Sequence, residues 1–172
     1  MLQDSLRVGL DANVLIAGVR LPRWPHEVMR AALRGYFDLV LPEQVIAEAR
    51  RHLETPAQAE VLDFFLASSG YEELAMPPAD LVRQHSDQVR SEKDVPIALT
   101  LLASNVDIFV TNDRDFTDPD ATAQRFRDRV RVMLPAVFLR EVLGWRAEDL
   151  EAIRNRTWQD IPVEEPREES DG

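Results

Sequence analysis

Residues 6–11 read LRVGLD, and the fold turns on how this stretch is read: a short apolar run that ends in an acid. Apolar residues at successive rather than alternate positions predict a strand covered on both faces, which places Asp11 at the strand's C-terminal end. Runs of the same kind stand at residues 37–41 (FDLVL), 107–110 (DIFV) and 130–134 (VRVML), with a shorter candidate at 71–75. Helical spacing fills the intervals, at residues 26–34, 43–52, 56–67, 79–90, 96–104 and 135–143, with a terminal helix over 146–158. Residues 13–19 continue apolar as a loop or the start of a helix. Strands separated by helices predict an α/β domain, a mostly parallel sheet with helices on both faces.

Composition narrows the function classes. The 172 residues suit one domain, and 45% hydrophobic with 30% charged residues is the balance of a folded globular chain. There is no cysteine, which excludes disulfides, thiolate catalysis and sulfur-ligated metals. His26, His52 and His85 share no metal-ligand spacing and read as surface or half-buried helical residues. No apolar run approaches a membrane span and the first residues lack a signal-peptide pattern, so the expectation is a cytoplasmic protein with no membrane partner.

A net charge of −11 argues against a protein that coats nucleic acid by electrostatics alone. Part of that charge lies in the acidic residues 159–172, expected to be disordered. The bases are 19 arginines and one lysine, clustered at Arg20, Arg23, Arg30 and Arg34 and again at Arg125, Arg127, Arg129 and Arg131. Such clusters either hold phosphates or form a solvated face. With six glycines and no glycine-rich loop, a nucleotide cradle is not expected.

The acids carry the chemistry. Asp11 ends one predicted strand and the segment TNDRDFTDPD at 111–120 follows another. In an open α/β sheet, residues beyond the carboxyl ends of neighbouring strands converge in one crevice. Asp11 and Asp113 are thus expected to meet, joined by Glu48 from the helix after the second strand and Asp94 from the start of a later helix. Carboxylates gathered in a water-poor space repel and raise one another's pKa, so a shared site calls for a cation. Without histidine or cysteine ligands, Mg²⁺ or Mn²⁺ is the natural choice, and phosphodiester hydrolysis the expected reaction class. Each acid also has a structural alternative: a helix cap or turn for Asp11, an exposed helical ion pair for Glu48, an N-cap for Asp94, and Asx turns for Asp113 and Asp115.

Three blocks, RVGLDANVLIAG (7–18), LVLPEQVIAEARRHL (39–53) and KDVPIALTLLASNVDIFVTNDRDF (93–116), together resemble the PIN-domain family, which includes VapC-like toxin ribonucleases and other RNA-processing nucleases. The resemblance implies a three-layer α/β/α fold, commonly dimeric, and a divalent-metal-dependent ribonuclease. It assigns catalytic and metal-binding roles to Asp11, Glu48, Asp94 and Asp113, with Asp115 helping a second ion. Asn13, Thr111 and Asn112 would support them by holding the first aspartate's loop and orienting carboxylate or water. It further implies an RNA substrate and, for a toxin of a type II pair, a cognate antitoxin. The domain is expected over residues 1–145, with the 146–158 helix packing on it or on a partner. A fold kept for nucleic-acid binding or regulation without catalysis is the competing expectation.

Overall fold

The first strand pairs with a neighbour on each side, so it fixes the rest of the sheet. The computed structural model describes residues 5–84, 95–113, 116, 124 and 126–162. Among these, β1 (Arg7–Leu10), β2 (Asp38–Pro42), β3 (Glu72–Leu74), β4 (Ile108–Val110) and β5 (Arg131–Met133) form one sheet in the order β3-β2-β1-β4-β5. Every pairing is parallel; Val8 lies between Leu39 and Ile108, and Gly9 between Val40 and Phe109. Val8, Leu10, Leu39, Val40, Ile108 and Phe109 are all buried, as successive apolar positions require of a strand covered on both faces.

The helices are α1 (Ala12–Arg20) and α2 (Trp24–Leu33) before β2, α3 (Glu43–His52) and α4 (Pro56–Ser68) before β3, and α5 (Ala79–Gln84) and α6 (Val95–Ala103) before β4. After β5 come α7 (Pro135–Glu141), α8 (Ala147–Ala152) and a 3₁₀ turn at Trp158–Asp160. Strand order runs outward from β1 to β2 and β3, then jumps back to β4 and continues to β5. Right-handed crossovers put α1–α4 on one face and α5 and α6 on the other, the three-layer α/β/α arrangement expected. The reversal between β1 and β4 is a topological switch point, where the crossovers diverge and leave a crevice at the strands' carboxyl ends.

On one face α1 and α2 approach so closely that only glycine fits at position 18. A Cβ there would press on the Met29 sulfur and lie 3.2 Å from the His26 nitrogen and the Pro25 carbonyl carbon. On the other, Phe109, Phe116 and Phe126 stack edge to face at 5.1 to 6.4 Å. Among the described residues no helix is long and apolar enough to cross a membrane.

Three stretches bear on the local reading. Residues 13–19, left open between loop and helix, belong to α1, which begins directly after Asp11 because that side chain caps it. The helix expected over 79–90 is described only to Gln84; residues 85–94 lie outside the described residues. The terminal helix expected over 146–158 stops at Ala152. Beyond it the chain turns back onto the α1–α2 corner, where long-range partners replace helical hydrogen bonds. Arg156 Nη2 meets Glu27 at 2.6 Å and its Nε donates to the Pro22 carbonyl at 2.6 Å. Trp158 Nε1 donates to the Arg20 carbonyl at 2.8 Å, with its ring edge-on to His26. Glu27 is buried, which alone would raise its pKa, but Arg156 and Arg30 outweigh that and hold it below its usual value.

Candidate active site

The ladder continues one residue past the strand ends and sets the site. The Asp11 N–H donates to the Val110 carbonyl at 3.0 Å, and the Thr111 N–H to the Met133 carbonyl at 3.0 Å. Asp11 and Thr111 therefore stand side by side although 100 positions apart, and the Thr111 hydroxyl donates to Asp11 Oδ2 at 2.7 Å. The other carboxylate oxygen, Oδ1, accepts the Ala12 N–H at 2.8 Å and opens α1. Its end of the helix dipole favours a negative charge there.

The loop after β4 is tied down by the same side chains. Thr111 Oγ1 accepts the Asp113 N–H at 2.9 Å while donating to Asp11, so a single hydroxyl links the two acidic segments. Asn13 reaches Asp11 Oδ2 through its amide at 3.4 Å and accepts the Asn112 N–H at 3.3 Å. Asn112 thus contributes its backbone, and its side chain is exposed.

Asp11, Asn13, Glu48 and Asp113 line one cavity of about 90 Å³, with Ala12, Ile16 and His52 completing its wall. Glu48 arrives from α3, which follows β2 without a loop. Of the expected acids, Asp11, Glu48 and Asp113 are brought to this cavity; Asp94 and Asp115 lie outside the described residues.

Asp11 is 4% exposed, and burial pushes its carboxyl pKa up to about 6. The bonds from Thr111 and Ala12 pull it down, and repulsion from Asp113 and Glu48 pushes it further up. A carboxylate held this way is short of positive charge near neutral pH. All of its donors shown here are neutral, so a cation has the most to gain in this position. An oxygen-only donor set suits Mg²⁺ or Mn²⁺ in kind. In number it falls short: among the described residues no group of three His, Cys, Asp or Glu side chains is arranged to hold a metal ion.

His52 is the wall residue that the sequence reading passed over. It stands four positions after Glu48 on α3, hence on the same helical face, and its Nδ1 lies 2.8 Å from the Glu48 carbonyl oxygen. A carbonyl only accepts, so Nδ1 carries the proton and Nε2 is the position left to the ring. The helical spacing of Glu48 and His52 was the available signal.

Comparison with known proteins bears on the family and the fold. The family model described as "PIN domain" matches residues 8–122, which run from β1 past the Asp113 loop. No curated protein sequence matches the chain. The crystal structure of PAE2754 from Pyrobaculum aerophilum is similar in fold, with a TM-score of 0.52, 18% identity, and coverage of 81% of this chain and 97% of that one.

Proposed function

The chain belongs to the PIN-domain family, and from that premise we propose that it hydrolyses RNA phosphodiester bonds at the Asp11 cavity with Mg²⁺ or Mn²⁺. The observation that carries this reading is the convergence of Asp11, Glu48 and Asp113 on one small cavity with Asp11 held near a pKa of about 6. Asp11, Glu48 and Asp113 would hold the cation, with Asp94 and Asp115 assigned to the same set by sequence. When bound, such an ion lowers the pKa of water and neutralises charge growing on a phosphate. The chain's own contribution is positioning. Thr111 fixes Asp11 and the Asp113 backbone through one hydroxyl, and Asn13 anchors the loop that follows β4. Burial of Asp11 excludes water from one side of the site and strengthens each electrostatic contact there.

A second reading is a PIN protein that binds nucleic acid or regulates without cutting it. The described residues by themselves favour this one, because they contain no three-donor group for a metal. Hydrolysis requires that Asp94 and Asp115 complete the set.

A panel of RNA and single-stranded DNA incubated with Mn²⁺ or Mg²⁺ decides between the readings. Under the hydrolytic one the parent cuts RNA and Asp11→Asn loses about 10²-fold or more of that rate. No metal-dependent cleavage by the parent selects the non-catalytic reading; equal cleavage by the variant removes Asp11 from the mechanism. The narrower role of a type II toxin, with a cognate antitoxin and a homodimer, rests on the sequence blocks alone. Growth arrest on expression, relieved by the product of an adjacent gene, is its test.

A further inference from the structure

A groove of about 660 Å³ opens directly off the Asp11 cavity, and the two share Asn13 and Ile16 as wall residues. Its floor is apolar, from Ile16 and Ala17 of α1 and from Leu134 and Val137 at the start of α7. Its far end carries three cations, Arg20, Arg23 and Arg154, in a chain whose net charge is −11. From Asn13 to Arg20 the wall follows α1, a path of about 10 Å at the helical rise.

We propose that this groove carries an unpaired nucleic-acid strand leading from the Asp11 cavity, with bases against the apolar floor and phosphates at Arg23 and Arg154. The proposal rests on the Asp11 cavity being the nucleic-acid end of the molecule. An unpaired strand turns apolar base faces outward along with its phosphates, and this wall offers both partners. A duplex presents mainly phosphates, and a path of ~10 Å is short beside its ~34 Å turn.

The cations are held ready. Arg154 lies over the Trp24 ring at 5.4 Å, and that ring is fixed by its Nε1 donating to the Leu150 carbonyl at 2.9 Å. Its ion pair with Glu151 is solvent-exposed and competes weakly. Arg23 donates through Nε to the Arg156 carbonyl at 3.1 Å and forms no ion pair among the described residues. Arg20 is more committed, to the His52 carbonyl and Glu54.

The test is fluorescence anisotropy with a short fluorescein-labelled single-stranded RNA in EDTA, which separates binding from cleavage. Two variants leave the carboxylate cavity untouched: Arg154→Gln, and Ala136→Glu, an acid in the first turn of α7 that the helix dipole favours. Both are first checked for the parent's circular dichroism. Ala136→Glu is expected to weaken binding about ten-fold, and annealing the RNA to its complement to weaken it by at least as much. The log–log salt slope of the parent should be about −1.4 for the two phosphate contacts, and shallower by about 0.7 in Arg154→Gln.

Strand binding by both variants equal to the parent's overturns the groove, even if the parent cleaves RNA with Mn²⁺. Absence of strand binding by the parent overturns it too, including where sedimentation shows a dimer that Ala136→Glu splits or where the groove takes an acidic peptide instead. Groove-dependent binding without Mn²⁺-dependent cleavage upholds the groove and removes the hydrolytic reading.

Discussion

The two ends of β1 treat charge in opposite ways. At the N-terminal end, Arg7 is neutralised on several sides: Nη1 pairs with Glu72 at 2.8 Å, and Nε and Nη2 both donate to the Ser104 carbonyl at 3.2 and 3.0 Å. Its backbone N–H donates to the Asp107 carboxylate at 2.9 Å. At the C-terminal end, Asp11 is buried deeper, faces two more acids across a small cavity, and is held by the neutral donors Ala12, Thr111 and Asn13. One end uses charge to stitch strand to neighbour. The other accumulates like charge that folding alone does not call for, which is the usual mark of a working site.

The contrast breaks if both ends respond alike to substitution. The largest separation is in catalysis, where Asp11→Asn is expected to lose about 10²-fold or more of RNA cleavage while Arg7→Met keeps the parent's rate. Stability should move the other way. The folded-state pKa of Asp11 is raised to about 6 from 3.8, so its ionisation opposes folding. This group's contribution is most favourable below the unfolded value and is lost as pH rises from about 4 to about 6. In EDTA at about pH 7.5, Asp11→Asn should therefore be more stable than the parent, by about 3 kcal/mol, and most of the gain should be gone near pH 4. Denaturant melts at the two pH values check it; a variant less stable at both refutes the sign.

Smaller effects sharpen the picture. Thr111→Val removes the hydroxyl that serves Asp11 and Asp113 together, and should lower cleavage about ten-fold while shifting the acid limb of its pH profile upward. A profile that keeps its limb would show that Thr111 does not act through Asp11. Arg7→Met should lower stability by about 1 kcal/mol at most, since the Glu72 partner is half exposed, a loss that urea unfolding resolves.

How far the sequence could be read follows the same physics. Val8, Leu10, Val40 and Phe109 are buried on both faces of the sheet, and runs of successive apolar residues announce that directly. Asp11 and Asp113 were legible as neighbours because strand-end position in a parallel sheet fixes where side chains gather. The stop of α8 was not legible. The pull of Glu27 on Arg156 and of Arg20 on Trp158 acts across 129 and 138 positions, and local spacing carries no trace of it. His52 is hidden for a different reason: its neighbour in the site is Glu48, four positions back on α3, and not another histidine.

The strap that closes Glu27 beneath Arg156 has a consequence for how the molecule comes into being. The α1–α2 corner leaves the ribosome well before Arg156, and its carboxylate meets that partner only after about 130 further residues have been added. Until then Glu27 pairs with Arg30 and still lacks Arg156, and the wall holding Arg20 and Trp24 is unfinished. A nascent chain therefore displays the acids of its sheet before the groove beside them exists, so the order of synthesis delays any activity that needs both.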